Sequence, residues 1–128
     1  MPQNYKNDKG RLNMATTVRY RDGVTILEPS GKIMGAGVTE LREVITAEVD
    51  ASDTPRILID FEKVNMMDSS GLGTLMGAHV TITRQGGRVG VLNVGKNIKN
   101  LIVRSRLASI FEHFTTEDEA VSTLGSDK

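Results

Sequence analysis

The residues best placed to do chemistry are Asp68-Ser69-Ser70-Gly71-Leu72-Gly73, where an acid and two hydroxyls stand between a strand-like apolar run and a helix-like one. The first N–H groups of a helix lack intrahelical partners, and the aligned peptide dipoles favour negative charge there. A Ser at that point can cap the helix, and a phosphate on it is solvated by backbone donors. Phosphorylation would add about −1.5 to −2 charges beside Asp68, turning a neutral docking surface into one that repels an acidic or apolar partner. The chemistry read from these residues is reversible modification, a switch rather than catalysis. The plain alternative for Ser69 is a cap that serves stability alone, because Ser and Asp are common at helix starts.

Other chemistries fit the same residues less well. Gly71, Gly73 and Gly77 approximate a dinucleotide loop, but the third glycine comes one position late and no Gly-x-x-x-x-Gly-Lys-Ser/Thr is present. A nucleophile elbow needs Gly two residues before its Ser, where this chain has Met67. His79 falls on the helix itself and His113 near the last strand, and both are read as partly buried or surface histidines. A receiver-type phosphoacceptor at Asp68 would need further carboxylates to hold a metal, and the early strands offer only Asp22 and Glu28. No catalytic residue, cofactor or metal is expected.

That turn has to be positioned by a small fold. With 128 residues, 38% hydrophobic and 25% charged, the chain fits one domain around one core. Sixteen basic and 16 acidic residues leave no overall field to attract nucleic acid or an anionic membrane, so no direct nucleic-acid partner is expected. There is no Cys, which excludes disulfides and thiolate metal sites. The polar start, with Lys6, Lys9 and Arg11 but no apolar stretch behind them, does not read as a secretory signal, and the apolar runs are too short to span a bilayer. A cytoplasmic protein is expected. Residues 1–13, rich in Asn, Lys, Gln and Asp, read as a disordered arm before a domain over 14–125.

Thr16 to Tyr20 and Val24 to Glu28 flank Arg21-Asp22-Gly23, a strong hairpin signal. Val38, Leu41, Val44, Ile45 and Val49 share one helix face. Ile57-Leu58-Ile59 reads as a central parallel strand covered on both sides. A helix resumes at Ser70 with Leu72, Leu75, Met76, Val80 and Thr83 on one side, and Gln85-Gly86-Gly87 stops it. Arg88 to Leu92 is the next strand, Ile98, Leu101 and Ile102 mark a short helix, Ile110 to Phe114 a last strand, and Thr116 to Glu119 a capping box before Ala120, Val121 and Leu124. The order ββαβαβαβα implies an α/β fold: a mostly parallel central sheet with an N-terminal hairpin and about four helices. The Asp68 turn then lies beyond the carboxyl end of the central strand, where such sheets place functional loops.

At Met67-Asp68-Ser69-Ser70-Gly71-Leu72-Gly73 the chain resembles the phosphorylation loop of the STAS (sulphate transporter and anti-sigma factor antagonist) domain family, in its anti-sigma factor antagonist branch. Leu58-Ile59-Asp60 and Gly86-Gly87 also fit, and the resemblance covers roughly residues 16 to 124. It implies that Ser69, with Ser70 as second choice, is phosphorylated by a serine/threonine kinase that is also the anti-sigma factor. The unmodified protein would capture that kinase and release a sigma factor, and a PP2C-type phosphatase would reset it. In this picture Asp68 orients the loop, Leu72 belongs to it, and Gly71 and Gly73 permit close approach. Lys32, Ile33, Met34, Met67, Thr74 and Arg104 are the candidates for the partner surface, with Met67 also suited to packing. The segment Gly31-Lys32-Ile33-Met34 departs from the family, which often carries an acid at the position of Lys32 and a polar residue at that of Met34. A scaffold or accessory subunit of a transporter or stress-signalling assembly is the alternative reading.

Overall fold

In the computed structural model, residues 3–6 and 12–125 are described. The run Ile57-Leu58-Ile59 has no polar position because its strand, β5 (Arg56–Asp60), is covered on both faces. It lies between two parallel neighbours, β3 (Val24–Glu28) and β7 (Arg88–Leu92). Strand β8 (Glu112–Phe114) extends the sheet in parallel beyond β7, and β2 (Leu12–Arg21) extends it antiparallel beyond β3. The β2–β3 turn is the expected hairpin: Asp22 and Gly23 both take the left-handed conformation, at φ 50° and 83°, that matches strand twist.

The arm expected over residues 1–13 contains a strand. β1 (Gln3–Lys6) runs antiparallel along β2, with Gln3 opposite Val18 and Lys6 opposite Leu12, so the sheet order is β1-β2-β3-β5-β7-β8. Edge strands are held by their backbone ladder, and polar side chains do not prevent that. Residues 1–2 and 7–11 lie outside the described residues.

Strand alternation divides the apolar side chains between two clusters. Ile57 and Ile59 face α1 (Ala36–Asp50), α2 (Ser69–Arg84) and α3 (Lys96–Arg104) in the larger cluster. Leu58 faces the other way and packs with Val24, Ile26, Leu92 and the α4 (Glu117–Leu124) residues Ala120, Val121 and Leu124. Arg19 and Arg21 pair with Glu117, Arg21 also with Asp118, while Arg56 and Arg88 donate to the carbonyls of Leu124 and Thr123 at 2.7 and 2.8 Å. Both ends of α4 are thus tied to the sheet. Of the capping box expected at its start one half is formed, Thr116 Oγ1 accepting from the Glu119 amide at 3.1 Å, while the Glu119 carboxylate accepts at 3.4 Å from the Thr115 amide, one residue before the cap.

Two short strands were not legible in the sequence. β4 (Gly31–Ile33) and β6 (Val64–Met67) form a separate two-stranded parallel sheet, with Lys32 opposite Met66 and Ile33 opposite Met67. The Asp68 turn therefore follows β6 rather than the central strand itself. A tight turn connects the two: Val64 N donates to Phe61 O, and Phe61 N to Leu92 O on β7. The buried face of α2 also differs from the expected one. Leu72, Thr74, Leu75, Ala78 and Ile82 are buried, while Val80 and Thr83 face solvent. Both sets satisfy helical spacing, and packing selects the one that buries Ile82 completely. The last strand starts at Glu112, two residues later than Ile110.

Candidate phosphoacceptor site at the start of α2

The N-cap of α2 is Asp68 and not a serine. Its backbone is extended, and its Oδ1 accepts from the Gly71 amide at 3.0 Å and from the Ser70 hydroxyl at 2.6 Å. The Ser70 hydroxyl first, and the Gly71 amide second, hold the Asp68 carboxyl below the ordinary carboxylate range. Ser69 is then the first helical residue. It is exposed, and its hydroxyl has no hydrogen-bond partner among the described residues. The two serines are therefore chemically unlike: one hydroxyl is engaged with the cap carboxylate, the other faces water.

Beneath the loop, packing is tight. A Cβ on Gly71 would stand 2.6 Å from Met67 Cγ and 2.9 Å from the Ile33 carbonyl oxygen, so only glycine lets the first turn of α2 rest on β4 and β6. At Gly73 the added atom would meet nothing, and that position is exposed. Close approach to the fold thus explains Gly71 and not Gly73. Leu72 points down into the larger core.

Several residues expected on a partner surface lie elsewhere. Ile33 is completely buried and Met67 is 7% exposed, so these two form the floor of the loop and present nothing to a partner. Their strands lie under α2, which the sequence did not reveal because β4 and β6 were not legible. Thr74 is also largely buried; its hydroxyl donates to the Ser70 carbonyl at 3.2 Å and accepts a long 3.4 Å bond from Arg42 Nη2. Lys32 and Met34 are exposed, and Met66, opposite Lys32, is 44% exposed. Asn97 Nδ2, at the start of α3, donates to the Asn65 carbonyl at 2.9 Å and joins α3 to this ledge. Arg104 is exposed in the last turn of α3, about 10 Å further along that helix at 1.5 Å per residue, and no contact brings it to Ser69. Arg42 and Asn97 carried no sequence signal, since a polar residue on a helix reads as solvated surface until the neighbouring element is placed.

The histidines lie apart from the serines. His79 is ten residues beyond Ser69 on α2, about 15 Å along the axis, in edge contact with Phe111 at 6.0 Å between ring centroids. His113 Nε2 lies 3.0 Å from the Ala108 carbonyl oxygen. Among the described residues no three metal-ligating side chains converge, and no helix is long and apolar enough to cross a membrane.

A mixed sheet with a helix start resting on a two-stranded ledge defines the class as a single α/β domain. A family model for the STAS domain matches residues 15–120, and the chain belongs to the STAS domain family. An anti-sigma F factor antagonist from Paenibacillus polymyxa is 25% identical over 113 residues, covering 88% of this chain and 97% of that protein. The crystal structure of an anti-sigma factor antagonist from Mycobacterium paratuberculosis superposes with a TM-score of 0.78 at 27% identity, over 89% of this chain and 96% of that one. The phosphorylated form of the Bacillus cell fate determinant SpoIIAA shares the fold, with a TM-score of 0.67 at 22% identity over 85% and 98% of the two chains.

Proposed function

We propose that this protein is an anti-sigma factor antagonist, a regulatory binding protein rather than an enzyme, switched off by phosphorylation of Ser69. The unmodified form captures an anti-sigma factor with serine/threonine kinase activity and thereby frees a sigma factor in the cytoplasm; a PP2C-type phosphatase restores it. The observation that carries this reading is the exposed, unpartnered Ser69 hydroxyl at the first position of a helix already capped by Asp68. A phosphoryl group there leaves the cap intact and places its dianion where a partner would pack, with like-charge repulsion and desolvation opposing any acidic or apolar contact. Ser70 is the poorer acceptor, because modification would remove the donor of its 2.6 Å bond and set a dianion against the Asp68 carboxylate. Exposed Lys32, Met34 and Met66 beside the loop suit a partner with an acidic and apolar contact surface.

The test is peptide mass spectrometry after incubation with ATP and lysate of the source cells, for the wild type, Ser69→Ala and Ser70→Ala. Phosphate on the loop peptide of the wild type and Ser70→Ala, absent in Ser69→Ala, is expected. An unmodified wild-type peptide, in a lysate whose other phosphoproteins are labelled, overturns the switch and favours a constitutive scaffold.

A further inference from the structure

Between α1 and α2, one turn below the serine loop, lies a groove of about 320 Å³, at the small end of ligand cavities. Its floor is apolar, with Ile45 and Val49 from α1 and Ala78 from α2 each less than a tenth exposed. Exposed Thr46, Asp50 and Thr81 complete its rim, Asp50 standing eight residues from Arg42 along α1, about 12 Å away at 1.5 Å per residue. Its α2 wall is bare at Gly77, where an added Cβ would meet nothing within 4 Å. At the mouth stands Arg42. The guanidinium groups of Arg19, Arg21 and Arg88 are each paired with carboxylates, whereas the only polar contact of Arg42 among the described residues is the 3.4 Å bond to Thr74. A cation with one weak neutral partner, at the end of an apolar floor opposite to Asp50, is complementary to an anionic head whose apolar body runs along that floor and stops short of the Asp50 carboxylate.

We propose that this groove binds a small amphipathic carboxylate, its head group forked on Arg42 and its chain lying over Ile45, Val49 and Ala78 against the Gly77 backbone. Binding would draw Arg42 away from Thr74, whose hydroxyl holds the Ser70 carbonyl at 3.2 Å, so the ligand would act on the first turn of α2. That regulatory consequence rests on Ser69 being the switch; the site itself does not.

Octanoate is a suitable probe, with 1-octanol as its uncharged counterpart. Each is titrated into the ¹⁵N-labelled full chain, as wild type, Arg42→Gln and Gly77→Leu, and amide shifts are followed by NMR. Expected are saturable shifts centred on Thr74, Gly77 and Thr81, with octanoate at least tenfold tighter than octanol. Arg42→Gln should abolish that preference, and Gly77→Leu should weaken both ligands about tenfold, each variant keeping the dispersed spectrum of the folded protein. Shifts that do not saturate, that scatter over the surface, or that retain the octanoate preference in Arg42→Gln overturn the proposal. The titration uses no kinase and no phosphate, so its failure leaves the antagonist reading standing, and failure of that reading leaves the groove standing.

Discussion

Asp68 is bonded to both sides of the question of which serine is modified: it caps α2 through the Gly71 amide and engages the Ser70 hydroxyl. Asp68→Ala should lower stability by about 1 kcal/mol, the usual effect of losing a cap, measured by urea unfolding. The two loop glycines should separate cleanly. Gly71→Ala forces a methyl against Met67 and the Ile33 carbonyl and should destabilise by about 1–3 kcal/mol. Gly73→Ala enters open space in a helix and should be neutral or stabilising, by at most about 1 kcal/mol, in the same unfolding assay. Where Gly73 permits close approach of a partner, as the resemblance to the STAS family implies, its Ala variant should weaken capture of the anti-sigma factor while folding normally. At this scale the sequence was informative about what is local: an acid, two hydroxyls and two glycines at a helix start. It was silent on what depends on distant chain, namely that Ile33 and Met67 are floor and that Arg42 reaches Thr74 across 32 positions.

Elements with strong periodicity or turn chemistry were legible: the Asp22-Gly23 hairpin, β5, α1 and the capped α4. Strands of three and four residues have too few positions to show alternation, which is why β4 and β6 escaped notice although they carry the loop. The attachment of α4 to β2 makes a pH prediction possible. Arg19 chiefly, and Arg21, hold the Glu117 carboxyl down to about 2, from an ordinary value near 4.5. A depressed folded-state value means the stabilisation is complete above the unfolded value and disappears as pH falls from about 4.5 to about 2. Glu117→Gln should therefore be less stable than wild type at pH 7, by roughly 1 kcal/mol given solvent screening of the pair. The gap should close as thermal unfolding is repeated toward pH 2.

Across the whole molecule, the sheet separates a face that carries α1, α2, α3 and the serine loop from a face closed by α4 alone. The smaller cluster depends on few side chains, so Leu124→Ala, at a completely buried position, should cost about 2–5 kcal/mol in denaturant unfolding without moving the loop. The α/β class followed from alternating strand and helix signals, whereas the division into two clusters needed the parity of each strand residue, which only the paired sheet reveals. Because α4 ends at Leu124 on the side of the sheet away from Ser69, the molecule has a natural handle. A fluorophore, a sensor-chip linker or a fused reporter joined after Gly125 would leave the serine loop facing outward, so binding and modification could be followed on immobilised protein.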